Sequence, residues 1–582
     1  MKLNNVYIII LILLTKTSFS QQDYTQNSDA VNDISAPMES IYIDINGGLL
    51  FSGEYLYYSM FCFDTTTKNN SQMSKIVYVE LIASNGDRIF KHKIKLDNGR
   101  GYADFFLPVT LNTGHYKLVA YTNWMRNGDF NNLGNANLTI INPYKSITSI
   151  EDTQVKIDSV SVNNLLKENK VIQLIGLKLN KERYGKRQKV VVELHDSLNN
   201  IGGSYSVSVK RKIDIPASEF RHTVDYYSRL KAQKIQFSKD DSNVFLPEFR
   251  GELFKGSIRH KGSDNKGNLK VAVSIAHDFN ILNIAHTDIS GNFYFNVDEN
   301  YSTNKAYFQV LGENSQDYDV ILEPKPELDI SELKFETFRL NPEWKDFIIE
   351  QSVYNQVENA YFEFRSDSLS ILLHDNLFKG RIYESYNLDD YNRFATLKET
   401  VQEIIKNTSI RKDNERQDVF EIQGFNFGTN TNIKPLLILD GVIVDNHSKM
   451  MDFNATTIKT VKIYRDQFVI DLEVFQGIIN IETIGGLTTN EFINNGNIPS
   501  IQINKPQVKK TYYKQTYTNE NRISRLPDFR QQLLWIPIFN VSENNKTISF
   551  FTSDVKGVYE IKLEGFTSNG KPVSILKEFE VN

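Results

Sequence analysis

The sequence contains few of the residues that form crosslinks, bind metals or build catalytic motifs. Cys62 is the only cysteine among 582 residues, so the chain cannot form an intramolecular disulfide and must be stabilised by its hydrophobic cores. None of the nine histidines belongs to a His-Glu-x-x-His motif, which excludes the common zinc-protease arrangement. Gly-x-Ser-x-Gly, P-loop and dinucleotide-binding motifs are also missing. We therefore expect no catalytic residue, no cofactor and no bound metal, and predict that the protein is not an enzyme.

The chain also has no excess of basic over acidic residues. The chain has 66 Lys and Arg against 71 Asp and Glu, which gives a net charge of −5 and a pI near 6.1. No stripe of basic residues is interleaved with aromatic residues, so we expect no nucleic-acid partner.

One apolar run stands out, at the start of the chain. Lys2, the segment Val6–Leu14 and the sequence Ser18-Phe19-Ser20 predict a secretory signal peptide cleaved after Ser20, with a buried N-terminal strand as the alternative. The run is shorter than the ~20 residues of a membrane-spanning helix, and no cysteine near the cleavage site offers a lipid anchor. We expect an exported protein of the periplasm, the outer membrane or the cell surface, without a transmembrane segment in the mature chain.

Strand-forming residues are abundant. The chain has 29 Tyr and 37 Phe, and together with many Asn and β-branched residues these favour strands and turns over helices. Glu39–Asn142 alternates short strands with turn signals, as a β-sandwich does. We expect Cys62 on the inner face of a strand. Two alternatives stand for Trp124 and Met125: exposure at a domain junction, where they contact a ligand, or core packing against the next domain.

Further strands and a few helices follow. Ser204–Lys212 alternates strictly, which predicts a strand with one dry face in a second sandwich, and the turn-rich stretch after Leu246 predicts a third. Apolar spacing and capping residues predict helices over Asp225–Gln233, Pro342–Tyr361 and Leu388–Ile405.

The stretch 435–486 has a different order of elements. Two short apolar runs flank Asp440-Gly441, a strong hairpin pair, and an alternating strand follows at Ile458–Tyr464. Gly477 precedes a β-branched run that ends near Gly485. We predict Asp440, Gly441, Gly477 and Gly485 to be architectural residues of this unit, none of them catalytic.

This order resembles the plug domain of TonB-dependent outer-membrane receptors, in which an Asp-Gly strand leads through a helix to two further strands. A generic small α/β sandwich with an Asp-Gly hairpin is the alternative. A plug normally precedes a barrel of about 22 strands, whereas only about a hundred residues follow Gly486. At ~10 residues a strand, the resemblance implies a plug-like domain without a barrel of its own.

Two other segments carry resemblances. The sequence from Gly114 to Asn127, GHYKLVAYTNWMRN, resembles a macroglobulin-type sandwich, and the segment from Glu248 to Leu322 resembles the carboxypeptidase regulatory-like domain. In this order they resemble exported proteins of the Bacteroidota type that combine such sandwiches with a barrel-less plug-like domain. Cys62 is followed by Phe-Asp rather than the Gly-Glu-Gln of a macroglobulin thioester, which excludes covalent protease trapping.

We therefore expect a mainly β, multidomain protein, with serial β-sandwiches and one small α/β plug-like domain. The predicted segments are a signal peptide (1–20), a macroglobulin-type sandwich (38–145), a second one (150–215), a linker (216–245), a regulatory-like sandwich (246–325), a helical lead segment (330–415), the plug-like domain (416–486), a polar linker (487–524) and an immunoglobulin-like domain (525–582).

The resemblance implies a non-enzymatic accessory or scaffold protein of the cell envelope. Its expected partner is an outer-membrane β-barrel or a surface lipoprotein of a transport or assembly complex. The alternative is a glycan- or peptide-binding module of an uptake system, which predicts a cleft lined by exposed aromatics drawn from Tyr512, Tyr513, Tyr517 and Trp124. A macroglobulin-type protease inhibitor, which requires a bait loop, is a third hypothesis. The sequence does not identify a small ligand.

Overall fold

The computed structural model describes residues 34–145, 175–196, 202–213, 215, 221–237, 244–262, 268–276, 281–297, 301–312, 315–336, 340–369, 378–425, 433–493, 498–518, 525–542 and 546–582. The fold is mainly β and multidomain, as predicted. The predicted signal peptide lies outside the described residues. Within them, no helix combines the length and the apolar character needed to cross a membrane.

The strands are named in chain order. The first eighteen are β1 Ile34–Pro37, β2 Glu39–Ile45, β3 Leu49–Phe51, β4 Tyr55–Asp64, β5 Ile76–Ala83, β6 Arg88–Lys95, β7 Arg100–Phe106, β8 Gly114–Tyr121, β9 Gly134–Ile141, β10 Ile175–Leu179, β11 Arg183–Tyr184, β12 Lys189–Asp196, β13 Gly203–Arg211, β14 Lys234–Phe237, β15 Glu252–His260, β16 Lys270–Ile275, β17 Ile281–His286 and β18 Asn292–Val297. The others are β19 Lys305–Leu311, β20 Tyr318–Leu322, β21 Ser368–Leu369, β22 Tyr383–Asn387, β23 Thr408–Lys412, β24 Asp418–Ile422, β25 Leu436–Leu439, β26 Val442–Ile443, β27 Ile458–Tyr464, β28 Phe468–Ile470, β29 Glu473–Phe475, β30 Ile478–Thr483, β31 Ser500–Gln502, β32 Lys510–Thr511, β33 Gln532–Val541, β34 Thr547–Phe551, β35 Gly557–Thr567 and β36 Pro572–Val581. The α-helices are α1 Thr223–Arg229, α2 Lys345–Ala360, α3 Leu397–Glu403, α4 His447–Met451 and α5 Gly486–Thr489.

Sandwich one consists of β2 to β9. Its two sheets have the orders β2-β4-β7 and β3-β9-β8-β5-β6, and the apolar residues of both inner faces form one core. Cys62 lies in this core, fully buried, as predicted for the inner face of a strand. Trp124 and Met125 are buried in the same core, so this pair is not exposed at a domain junction.

Sandwich two is assembled from both ends of the chain. Its sheets have the orders β10-β12-β34 and β11-β36-β35-β13-β33, so that β13 lies between two strands of the C-terminal segment. The segments 150–215 and 525–582 were predicted as separate domains, whereas their described strands form one sandwich. Neither segment contains enough strands to cover its own apolar faces, and pairing with the other supplies the missing layer.

Sandwich three consists of β15 to β20 together with β31. Its sheets have the orders β18-β15-β20 and β17-β16-β19-β31. Strand β31 comes from the predicted polar linker 487–524, so the described part of this segment is not a free linker. Ile501 and Ile503 explain the difference, because they pack into the core of sandwich three although their neighbours are polar.

The α/β unit comprises residues 383–483. Its sheet has the order β22-β27-β30-β25-β26, with β25 and β30 parallel. Helices α3 and α4 and the hairpin β23–β24 pack on it. Strand β22 and helix α3 precede residue 416, so this unit begins before the predicted boundary. Leu397 and Val401 on α3 share one apolar core with Leu437 and Ile479.

Helices α1, α2 and α3 overlap the predicted helical segments, but some begin or end at different residues. Helix α2 lies within the predicted Pro342–Tyr361. Helix α3 is shorter than Leu388–Ile405, because Thr396 and Glu399 form a capping box that begins the helix at Leu397. Helix α1 lies in the predicted linker 216–245 and packs Tyr226 against an aromatic cluster of sandwiches one and two, so the described part of that linker is fixed.

Candidate functional site

The turn between β25 and β26 is a two-residue hairpin. Asp440 and Gly441 have φ values of +46° and +83°, the combination that a type I′ turn requires. The Asp440 carboxylate accepts hydrogen bonds from the Thr483 backbone N at 2.7 Å, from Thr483 Oγ1 at 2.7 Å and from Asn490 Nδ2 at 2.6 Å. This side chain therefore connects the turn to the end of β30.

Gly477 occupies a position that no other residue fits without strain. Its φ is +83°, and a Cβ atom there would lie 2.4 Å from the Tyr464 carbonyl oxygen and 2.9 Å from the Ile422 side chain. The backbone of β27 thus approaches the chain closely where it enters β30.

Gly485 has a conformation that is open to any residue. Its φ is −93°, and the neighbouring Gly486 has the positive φ of +62°. Of the four predicted architectural positions, three have a positive φ: Asp440, Gly441 and Gly477. After β30, the residue with a positive φ is Gly486 rather than Gly485.

The two edges of the α/β sheet have different surroundings. At one edge, the Ile443 backbone N donates to Ser274 Oγ of sandwich three at 3.0 Å, and Ile443 is 2% exposed. At the other edge, β22 pairs with β27, and no other strand of the described chain pairs with β22. One edge is therefore covered by sandwich three and the other is accessible.

Apolar side chains are exposed around β22. Ile382 and Tyr383 are 70% and 51% exposed. The hairpin β28–β29 adjoins this end of the strand, because Arg381 NH1 donates to the Gln467 carbonyl at 3.2 Å. The hairpin exposes three more apolar side chains. We call this set the edge surface: Ile382, Tyr383, Val469, Leu472 and Val474.

The aromatic residues named for a ligand cleft lie in different places. Trp124 is buried, and its Nε1 donates to the Pro37 carbonyl at 2.9 Å. Tyr517 is half-buried and donates to Asp528 Oδ2 at 2.7 Å. Tyr512 is buried and Tyr513 half-buried, and both line a cavity of about 150 Å³. Of the aromatics named for the ligand-binding alternative, Tyr512 and Tyr513 line this cavity, and Trp124 and Tyr517 do not.

Sequence reasoning missed most residues of this cavity. It lies where sandwich one, sandwich two, the end of α2 and the segment around β32 meet. Tyr57, Phe362 and Trp535 come from three of these segments, and no local motif indicated that they would meet. Trp535 is 4% exposed.

No metal centre is present in the part of the chain that the structure describes, since no group of three or more His, Cys, Asp or Glu side chains there is arranged to hold an ion. His222 contacts the carboxylate of Glu564, with Nδ1 at 2.7 Å from Oε1.

No protein-family model matches the chain, and no curated protein matches it. Among solved structures, it is similar to Escherichia coli alpha-2-macroglobulin activated by porcine elastase, with 8% identity, 93% of this chain and 44% of the other covered, and a TM-score of 0.23. Salmonella alpha-2-macroglobulin reacted with methylamine gives 8% identity, 96% and 41% coverage, and a TM-score of 0.23. Dimeric latent PorU from Porphyromonas gingivalis gives 11% identity, 49% and 33% coverage, and a TM-score of 0.14. The chain spans less than half the length of these proteins, and TM-scores this low do not establish a shared fold.

Proposed function

We propose that this protein is a non-enzymatic accessory or scaffold protein of the cell envelope. It is exported and binds an outer-membrane transport or assembly complex through the α/β unit, which acts as a plug-like domain. The sandwiches, of macroglobulin and regulatory-like type, hold this unit in place.

The observation that carries the proposal is the accessible edge at β22. An unpaired strand edge exposes backbone N–H and C=O groups that another chain can extend as a further strand. Ile382 and Tyr383 beside it are more than half exposed, and they offer apolar area that a partner strand would cover. Soluble proteins usually protect such an edge unless it binds something.

The fixed position of the unit also supports a scaffold role. Gly312 N donates to Asp445 Oδ2 at 2.9 Å, and Ile284 N donates to Asp471 Oδ2 at 2.7 Å. Both bonds join sandwich three to the α/β unit, next to a shared apolar core. This contact uses the edge at β26 and the turn of the hairpin β28–β29, so the edge at β22 itself is left for a partner.

Photo-crosslinking in the native envelope tests the proposal. A photoreactive residue at position 383 should crosslink to an outer-membrane protein, identified by mass spectrometry. A photoreactive residue at position 109 is the control, because Val109 is 50% exposed on sandwich one, a unit that contributes no residue to the edge surface. Equal labelling from both positions, or no envelope protein crosslinked from position 383, would overturn the proposal.

A charge at the edge gives a second test. Ile382→Lys should reduce recovery of the crosslinked partner about tenfold, since a lysine at a strand edge opposes strand addition. Val109→Lys introduces the same charge at an exposed position of sandwich one and should leave recovery unchanged. If the two variants recover the partner equally, β22 is not the binding edge.

A further inference from the structure

The cavity between the sandwiches has an aromatic wall. The rings of Tyr57 and Trp535 stack with centroids 5.9 Å apart, and those of Tyr55 and Phe362 stack at 5.8 Å. Tyr512 meets Tyr57 edge to face at 5.0 Å. Aromatic walls with a few polar groups, at a junction between domains, are typical of ligand sites.

The charged groups of the wall are mostly paired with one another. Lys210 Nζ lies 2.9 Å from Glu54 Oε2, and Arg365 pairs with Glu358. Arg530, another wall residue, has its NH2 2.7 Å from Asp528 Oδ2. No cation or anion of this group is left to balance a charged ligand, so the wall favours a neutral one.

Asp367 is the remaining carboxylate of the wall. Its Oδ1 accepts a hydrogen bond from the Tyr513 backbone N at 2.9 Å. Burial raises the pKa of Asp367, which opposes its charged form. Its oxygens provide hydrogen-bonding sites at the side of the cavity formed by Tyr513.

Four other wall side chains have a buried polar atom without a hydrogen-bond partner among the described residues. Two are donors, Trp535 Nε1 and Arg365 Nε, and two are acceptors, Gln531 Oε1 and Glu358 Oε2. Gln531, Arg365 and Trp535 are 6%, 7% and 4% exposed. Unpaired buried polar atoms are costly. A hydroxyl group both donates and accepts, so a ligand with several hydroxyls suits this mixture better than an ion does.

From this combination we propose that the junction cavity binds a neutral sugar, either free or as the terminal unit of a glycan. A sugar ring has apolar C–H faces that pack on aromatic rings and hydroxyls around its rim. The volume agrees, because 150 Å³ holds on the order of ten water-sized groups at ~10–15 Å³ each, about the number of heavy atoms in a monosaccharide. The site is independent of the edge surface, which lies on the α/β unit.

The test uses the full exported chain and follows tryptophan fluorescence during titration. The probes are neutral monosaccharides (glucose, galactose and N-acetylglucosamine), a charged sugar (glucuronate) and unstructured peptides. We expect saturable binding of at least one neutral sugar, and much weaker binding of glucuronate and of the peptides. Binding of peptides or glucuronate in preference to every neutral sugar would overturn the proposal, as would the absence of saturable binding.

Two nearby phenylalanines give a matched pair of variants. Phe362 lines the cavity, and Phe364, two residues later, does not; they are 41% and 68% exposed, so both variants should fold. Phe362→Ala should weaken sugar binding about fivefold to tenfold through loss of one ring face, and Phe364→Ala should leave it unchanged. Equal affinity in the two variants would exclude this cavity as the sugar site. Neither result bears on crosslinking from position 383, so the two proposals can fail separately.

Discussion

Two junctions between the folded units have opposite chemistry. Between sandwiches one and two, buried charges meet beside an aromatic cluster: Lys562 Nζ lies 2.6 Å from Asp44 Oδ1, and both residues are almost fully buried. Between sandwich three and the α/β unit, the contact is mainly apolar, with Ala272 and Leu282 packed against Ile438 and Ile443. The first junction depends on paired charges, and the second depends on shape and apolar area.

This difference has consequences for stability. Burial raises the pKa of Asp44, although the nearby Lys562 opposes the shift, so the carboxylate depends on its partner to remain charged. An intact buried ion pair adds little to the free energy of unfolding. Removing one partner lowers that free energy strongly, because the other charge stays buried and unpaired. An apolar contact instead loses stability in proportion to the atoms removed. The two junctions should therefore respond differently to substitutions and to pH.

The largest effect should come from breaking the ion pair. Lys562→Met removes the cation and leaves Asp44 buried without it, so we expect the free energy of unfolding to fall by about 3–5 kcal/mol. Urea unfolding followed by near-ultraviolet circular dichroism measures this loss.

The control is the double variant Asp44→Asn/Lys562→Met. It removes both charges and should lose less than Lys562→Met alone, because no unpaired carboxylate remains. Should the double variant lose as much as the single one or more, the charge pairing would not be what holds this junction.

The apolar junction gives a smaller effect. Ile443→Ala should cost about 2–4 kcal/mol, through lost burial and the cavity left behind, and this cost should not depend on salt. Ile484→Ala removes the same atoms from a side chain that is 63% exposed and should be nearly neutral. A salt-dependent loss in Ile443→Ala would contradict the apolar description.

The next largest loss of stability should come from a strained backbone position within the α/β unit. Gly477→Ala should cost about 2–3 kcal/mol, since alanine is strained at positive φ and its Cβ would meet the Tyr464 carbonyl oxygen. Gly485→Ala should change the unfolding free energy by less than about 0.5 kcal/mol, because its φ of −93° suits alanine. Similar losses in both variants would show that φ is not the deciding factor.

Local features of this fold could be predicted from the sequence. Asp440-Gly441 predicted a hairpin because few other pairs accept two positive φ values. Helix α2 followed from its apolar spacing, and the burial of Cys62 followed from the strand that contains it. In each case the deciding interaction lies within a few residues.

Contacts between segments that are distant in the sequence could not be predicted. The strict alternation of Ser204–Lys212 indicates one dry face, but it does not identify β33 and β35 as its neighbours. His222 meets Glu564, which lies 342 positions away, and nothing around His222 indicates this partner. The cavity could not be predicted from the sequence for the same reason, since Tyr57, Phe362 and Trp535 come from separate segments.

The smallest effect should be a pH dependence at the charged junction. Burial lowers the pKa of His222, but its hydrogen bond to Glu564 and the charge of that carboxylate outweigh burial, so the pKa is raised. Burial raises the pKa of Glu564, but the bond to His222 and its charge outweigh it in turn, so the pKa is lowered. The pair therefore stabilises the fold most between the ordinary values of 4.5 for Glu and 6.5 for His.

The sign of the change follows from the two shifts. The contribution of His222 is complete below pH 6.5 and is lost as the pH rises through its raised pKa. We expect the unfolding free energy to fall by about 1–2 kcal/mol between about pH 6 and pH 8.5, the value of a partly exposed charged hydrogen bond. In His222→Asn this component should be absent, because asparagine does not titrate. Urea midpoints measured across this range test the difference, and parallel curves for the two proteins would remove His222 and Glu564 from the account of this junction.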